Sequence, residues 1–362
     1  MRRPVMPLAG RIGVALVGTG VSYGICLLLG ASAGSALGVS GFVFGLLTFL
    51  LSELKELSNP VKRIWYIGQE DAVFNDNIRR GLETTLDGAL RYRPEPALPP
   101  HDVVDVLGWQ RGLLESVRAG TYDAVVILPA RDDARLWNRL ADLAEKGASV
   151  VVIDVEPAWD TFLDRGVTPP VFVSSDFAEG GRLAGGLVAD ALEARPGSHG
   201  LVAIGPSSSS AGAGRSAWIL YALAQRHQLD RIRAHELSGW QTDAASSALA
   251  TEVEALLGAG SSEVVVFCGD DRIMSALSRT VASDPGWTSR VWLVGYDGTT
   301  DAAGRYLARQ EQHCCIGSVD TEPTSQGRDA AKALLEAYQQ PAQAARRRWM
   351  VKPRALTPGN WN

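Results

Sequence analysis

The chain has 362 residues, of which 46% are hydrophobic and 21% charged, with a formal net charge of −5. That much apolar surface builds cores and excludes disorder as the main state, and the length fits two domains or lobes. The mildly acidic balance argues against a nucleic-acid binder held by phosphate contacts, and four cysteines without zinc-type spacing give neither a disulfide scaffold nor a zinc site.

The N-terminal segment is the most apolar part. No residue from Ile12 to Ser52 is charged. One straight helix of that length would measure about 60 Å, against a hydrocarbon core of about 30 Å. The run therefore predicts a membrane anchor over residues 1–58 with two transmembrane helices, Ile12–Gly30 and Ser35–Ser52, that turn at Ala31–Gly34. Ala31-Ser32-Ala33 also fits a signal-peptide cleavage pattern. Arg2, Arg3 and Arg11 precede the run and Lys55, Lys62 and Arg63 follow it, so the positive-inside rule places the rest of the chain in the cytoplasm. These features predict a multi-pass protein of the cell membrane.

From Arg63 onward, apolar runs of strand length alternate with helical stretches. The strands are expected at Ile64–Gly68, Val103–Leu107, Ala124–Leu128, Val150–Val155, Val171–Ser174, Leu201–Gly205, Ile232–Leu237, Val264–Cys268, Val291–Tyr296, Cys315–Val319 and Trp349–Val351. Helices are expected at Val73–Leu90, Arg111–Arg118, Arg135–Lys146, Gly180–Ala194, Arg215–Gln228, Asp243–Leu257, Arg272–Ala282 and Thr324–Tyr338. Most of the strand runs are nearly continuous in Val, Ile and Leu, as in parallel strands buried on both faces. Strand–helix alternation implies right-handed crossovers, and so many strands imply an α/β chain with two doubly wound parallel-sheet lobes. Ligands of such folds bind at the carboxyl ends of the strands.

Those ends carry a consistent set. Asp154, Asp270-Asp271 and Asp297 each follow a strand, Arg215 opens a helix, Trp240 follows the strand ending at Leu237, and Phe74 opens the first helix. Carboxylates accept hydroxyl protons, a guanidinium donates in a fork, and flat rings cover apolar C–H faces, so the set suits a polyhydroxylated ligand. Each residue also has an ordinary reading as a helix cap, a turn or lobe packing. No catalytic triad, Walker loop or metal cluster can be placed. The rival is an NAD(P)-dependent enzyme: Gly212-Ala213-Gly214-Arg215-Ser216-Ala217 matches GxGxxA, with Glu236 downstream, although Pro206–Ala211 separates the glycines from their strand.

The order of motifs resembles the type I periplasmic sugar-binding proteins, of ribose- and galactose-binding type, and the ligand domains of lac-repressor-like regulators. The resemblance rests on Leu293–Asp301 (LVGYDGTTD), Val264–Leu277 (VVVFCGDDRIMSAL), Val171–Gly185 (VFVSSDFAEGGRLAG) and Ser318–Ala331 (SVDTEPTSQGRDAA). It implies a ligand-binding domain over 63–352, with a first lobe of 63–175 plus 321–345, a second lobe of 176–320 plus 346–352, and a tail of 353–362. It also implies that the lobes close on a ligand bound by Phe74, Asp154, Arg215, Trp240, Asp270, Asp297 and Thr321, with Phe74 and Trp240 sandwiching a sugar ring and Thr321 at the hinge.

The chain departs from that family pattern in places. Val155 follows Asp154 where Arg is frequent, Asp270 replaces an Asn, and Asn75 stands where a second aromatic is usual. Three carboxylates then face Arg215 alone, a formal charge of −2. That excess predicts either a cationic or amino-bearing ligand or a carboxyl with a raised pKa. The expected function is non-catalytic binding of a sugar-like solute, with no cofactor. The expected partners are the lipid bilayer and an ABC transporter permease or a signalling protein. The resemblance puts the binding domain outside the cell, against the charge flanks.

Overall fold

The computed structural model describes residues 62–69, 72–87, 92–100, 103, 105–118, 120–205, 210–298, 314–339 and 347–358. The expected anchor over 1–58, with both of its spans, lies outside the described residues. Among the described residues, no helix is long and apolar enough to cross a membrane.

Strands β1 (Lys62–Ile67), β2 (Tyr92–Ala97), β3 (Ala124–Ile127), β4 (Ser149–Ile153) and β5 (Val171–Ser175) belong to a first sheet. Strands β6 (His199–Ile204), β7 (Ile232–Glu236), β8 (Val264–Phe267), β9 (Val291–Val294) and β10 (Cys315–Asp320) belong to a second. Two late strands complete them: β11 (Arg348–Val351) and β12 (Arg354–Leu356). The orders are β2-β1-β3-β4-β5-β11 and β7-β6-β8-β9-β10-β12, so each sheet repeats one topology. All pairings are parallel except that of β12 with β10.

The helices are α1 (Ala72–Asp87), α2 (Val106–Ser116), α3 (Ala134–Glu145), α4 (Trp159–Leu163), α5 (Phe177–Glu193), α6 (Ser210–Gln225), α7 (Thr242–Gly258), α8 (Asp271–Ser283) and α9 (Pro323–Gln339). They cover both faces of each sheet, and the pleat of β1 shows how. Ile64 and Tyr66 pack with Ile78 and Leu82 of α1 and Leu334 of α9, whereas Trp65 and Ile67 pack with Leu114 of α2 and Trp137 and Leu140 of α3. In the second sheet, Val264 and Val266 pack under Leu249 and Leu277, and Val265 and Phe267 under Val188 and Ile219. Period-two alternation of apolar residues thus feeds two cores per sheet, which is why the strand runs read as continuously hydrophobic.

The second strand falls at Tyr92–Ala97 and not at Val103–Leu107. Its YRPEPA sequence holds two prolines, which β2 tolerates because it is the edge strand of its sheet. Val106 and Leu107 instead begin α2, capped by Asp105, whose side chain accepts from the Gly108 amide. The end of the chain also differs from expectation. Residues 348–351, expected in the second lobe, pair with β5 of the first sheet, and residues 354–356, expected in a tail, pair with β10 of the second.

Among the described residues the chain passes between the sheets three times: from β5 into α5, from β10 into α9, and from β11 to β12. The amide of Asp176 donates to the Val351 carbonyl (2.9 Å), which joins the first passage to the third.

Gln110 fixes the strand ends of the first lobe. It is fully buried, and its Nε2 donates to the carbonyls of Gly68 (2.8 Å) and Leu128 (2.7 Å) while its Oε1 accepts from the Ala130 amide (3.0 Å). Replacing it with leucine leaves the buried carbonyls of Gly68 and Leu128 unpaired and removes the acceptor of the Ala130 amide. Gln110→Leu is expected to lower stability by roughly 2–4 kcal/mol. Urea denaturation should show this as an earlier midpoint with an unchanged slope.

Candidate functional site

Aspartates recur where a strand gives way to a helix, and most are caps. Asp133 caps α3 and Asp176 caps α5, each accepting main-chain N–H bonds. Asp154 and Asp297 are different. Both adopt positive φ, 71° and 95°. Among the described residues only four non-glycine residues do so, and Glu322, at the passage from β10 to α9, is a third. Such backbone is costly and persists where surrounding bonds over-determine it. The Asp154 amide donates to the Val173 carbonyl (2.9 Å) and the Asp297 amide to the Val319 carbonyl (2.8 Å), so neighbouring strands hold both turns.

Arg215, in the second turn of α6, lies at the centre of the site. It is 7% exposed. Its Nη1 donates to the Gly269 carbonyl (2.9 Å) and lies 3.8 Å from Asp297 Oδ1. Its guanidinium lies over the rings of Tyr296 (4.5 Å to the centroid) and Trp240 (5.1 Å). Burial works against its charge, but Asp297, Tyr296, Asp154 and Asp270 outweigh it and hold the pKa above the ordinary value. The Trp240 ring lies close to Gly269, where φ is 76° and a Cβ would approach the indole to 3.2 Å. A side chain there would be strained and would push on the ring.

The structure therefore brings Asp154 of the first lobe and Arg215, Trp240, Asp270 and Asp297 of the second into one electrostatic neighbourhood. Thr321 joins them through its hydroxyl, which donates to the Asp297 carbonyl (3.3 Å), while its own carbonyl accepts from Gln326 Nε2 (2.9 Å). Phe74 is 5% exposed and packs in the first-lobe core with Tyr66 and Ile78. Trp240 is half-buried against the second-lobe core.

Three functional details escaped the sequence reading. First, Asp270 does not stand unpaired. Its Oδ2 lies 2.6 Å from Arg272 Nη2, and its Oδ1 accepts from the Arg272 amide (2.6 Å), so the carboxylate caps α8 and forms an ion pair at once. With Arg272 counted, the formal charge of the set is −1 and not −2. Second, Asn75 is turned inward: its Oδ1 accepts from Tyr66 Oη (3.2 Å) and the Gln69 amide (3.1 Å), which ties β1 to α1. Third, the Tyr296 ring packs beneath Arg215 and is wholly buried. The glycines of the dinucleotide-type motif are corrected too: Gly212 and Gly214 lie inside α6, not in a strand-to-helix turn that could cradle a pyrophosphate.

Asp154 is the carboxylate with the least support. Among the described residues none donates a hydrogen bond to its side chain. Burial raises its pKa, and Arg215 draws it partly back down. An acid whose pKa is raised on folding costs stability while ionised, and that cost fades as pH falls through the raised value toward the ordinary one. Asp154→Asn is therefore expected to raise the thermal midpoint at pH 7. The gain over wild type should shrink steadily as the pH is lowered toward 4, as read by thermal denaturation across that range.

A family model described as "Periplasmic binding protein domain" matches residues 106–341, well over half of the chain. No curated protein matches the sequence. Among solved structures, a periplasmic solute-binding protein of an ABC transporter from Actinobacillus succinogenes, with bound D-allose, superposes with a TM-score of 0.67 at 18% identity over 83% of this chain and 98% of its own. The Caulobacter myo-inositol binding protein gives 0.66 at 19% identity, over 84% of this chain and 95% of its own. A periplasmic ribose ABC transporter protein from Conexibacter woesei gives 0.63 at 17%, over 83% and 93%. At these identities the likeness is one of fold. The multi-pass membrane placement drawn from the apolar N-terminal run is corrected by the family, whose members are extracytoplasmic. The alternation of strands and helices, the paired six-stranded sheets and the matched segment agree: the chain belongs to the periplasmic binding protein family.

Proposed function

We propose that this chain binds a small, neutral, polyhydroxylated solute, a sugar or a cyclic polyol, between its two lobes and passes it to an ABC transporter. The observation that carries this reading is the buried guanidinium of Arg215, set among Asp297, Asp154 and Asp270 and over two aromatic rings. Carboxylates and a guanidinium supply acceptors and donors for hydroxyls, and the indole of Trp240 supplies a face for the C–H surface of a ring. D-allose and myo-inositol, bound by two of the fold relatives, belong to the same chemical class.

The charge balance favours a neutral ligand over a cation. Arg272 satisfies Asp270, and Arg215 lies beside Asp297, which leaves Asp154 as the excess. A cationic group at Asp154 would lie close to the Arg215 charge that already acts on that carboxylate. Sugar hydroxyls can donate to Asp154 without that repulsion and replace the water that burial removes. No catalytic step is assigned to the site. Closure on the solute follows from contacts made by both lobes and uses the passages between them as the hinge.

Calorimetric titration of the full chain with D-allose, D-ribose, D-arabinose and myo-inositol is expected to give saturable binding to at least one of them. Arg215→Met should weaken that affinity about 10–100-fold, the worth of a charged hydrogen bond. Trp240→Ala should weaken it by about tenfold or less. Saturable binding of NAD or a polyamine, with no heat from any neutral sugar or polyol, would overturn the proposal.

A further inference from the structure

The passage from β10 into α9 is held by a side chain from the far end of the chain. Arg354, in β12, pairs in register with Asp320 at the end of β10. Its Nε and Nη2 both donate to Asp320 Oδ2 (3.0 Å each), and its Nε also lies 2.9 Å from Glu322 Oε1. Asp320 is 7% exposed, and its other oxygen, Oδ1, accepts from the Glu322 amide (2.8 Å). Glu322 has φ of 56°, and its Oε2 accepts from Ser325 Oγ in the first turn of α9. One guanidinium thus bonds a carboxylate on the second-lobe side of the passage and another on the first-lobe side.

The same turn supports the candidate site. Asp320 forms a parallel bridge with Asp297, Thr321 Oγ1 donates to the Asp297 carbonyl, and the Asp297 amide donates to Val319. Gly298 lies so close to Asp320 that a Cβ would meet its Cα, Cβ and Cγ at 2.4–2.6 Å. Asp297 is therefore tied through its backbone to the segment that Arg354 clamps, although no contact joins Arg354 to Asp297 directly among the described residues. Burial raises the pKa of Asp320, and the Glu322 amide and the Arg354 guanidinium work against that rise.

We infer that Arg354 is a positioning residue for the cleft: by strapping Asp320 and Glu322 together across the second passage, it holds Asp297 in its binding geometry and restrains hinge opening. The inference rests on the solute-binding reading, but one arm of its test does not. In the unliganded full chain, hydrogen exchange at the Asp297 amide is expected to speed up at least tenfold in Arg354→Met. Exchange within β3 and β4 of the first lobe should stay as in wild type. Arg354→Lys, which keeps a charge but not the fork, should recover part of the protection, a rescue that simple loss of packing would not give. Glu322→Gln, which folds with the Asp320 pair intact, should give a smaller rise of the same kind. Unchanged exchange at Asp297 in Arg354→Met would overturn the inference. If a sugar of the panel binds the wild type, its dissociation should be at least tenfold faster in Arg354→Met with association altered less than threefold, and equal dissociation would also overturn it. If no sugar binds the wild type, the solute reading fails and the exchange result alone decides the role of Arg354.

Discussion

A buried guanidinium is tolerable only where acceptors surround it, and Arg215 sets that demand for the whole cleft. Its carbonyl partner Gly269, its carboxylate neighbour Asp297 and the faces of Tyr296 and Trp240 all lie in the second lobe. Asp154, a further carboxylate that it influences, lies in the first. The cation is thus well supported in one lobe and the opposite lobe carries an under-supported anion. An arrangement of this kind has a directional consequence. Any solute that offers donors to Asp154 and acceptors to Arg215 lowers the energy of the closed form more than that of the open one, and differential contact of that sort is what drives a two-lobed closure.

Strand ends make this possible at small cost. Three residues separate helix α8 from its strand, and Asp270, just before the helix, caps it while pairing with Arg272. The main chain at such a turn is already satisfied, so the side chains that follow can be polar without leaving orphaned donors. Where the backbone is forced to positive φ, at Asp154, Asp297 and Glu322, the strain falls at strand ends or at the passage between the sheets. His227, the fourth such residue, instead follows α6 at the opposite end of that helix from Arg215. Strain gathered at the working end of a sheet fits a site whose geometry is imposed by its surroundings.

Much of this architecture was legible because buried parallel strands leave an unmistakable trace. Val264–Phe267 and Ala124–Ile127 are unbroken apolar runs, and each feeds two cores at once. Tyr92–Ala97 left no such trace: an edge strand needs only one partner, so it can carry prolines, charges and little apolar surface. The last two strands were hard to place for a related reason. Each is three or four residues long, and the register that assigns β11 to the first sheet and β12 to the second is set by tertiary pairing, not by composition. Among the site residues, the aspartates at strand ends were readable by type and position. The pairing of Asp270 with Arg272 was not, because it depends on a side chain folding back over its own helix cap. Asn75 looked like a lost aromatic, whereas its amide spends its bonds on Tyr66 and on the turn at Gln69.

The paired charges bear directly on what the cleft can hold. Had the three carboxylates faced one arginine, a cationic ligand or a protonated carboxyl would have been needed to make burial tolerable. With Arg272 committed to Asp270 and Arg215 shared between Asp297 and Asp154, little net charge remains for the ligand to cancel. What remains, among the described residues, is the Asp154 carboxylate, which accepts no hydrogen bond and whose pKa burial raises. A neutral ring of hydroxyls meets that need, since each hydroxyl both donates and accepts and can complete an acceptor on one lobe while capping a donor on the other. Discrimination among such rings then depends on where the donors and acceptors stand, because an unmatched buried polar group costs more than a matched one gains. On the proposed reading, the bonds that fix Asp297 to the passage between the lobes would shape selectivity as well as grip.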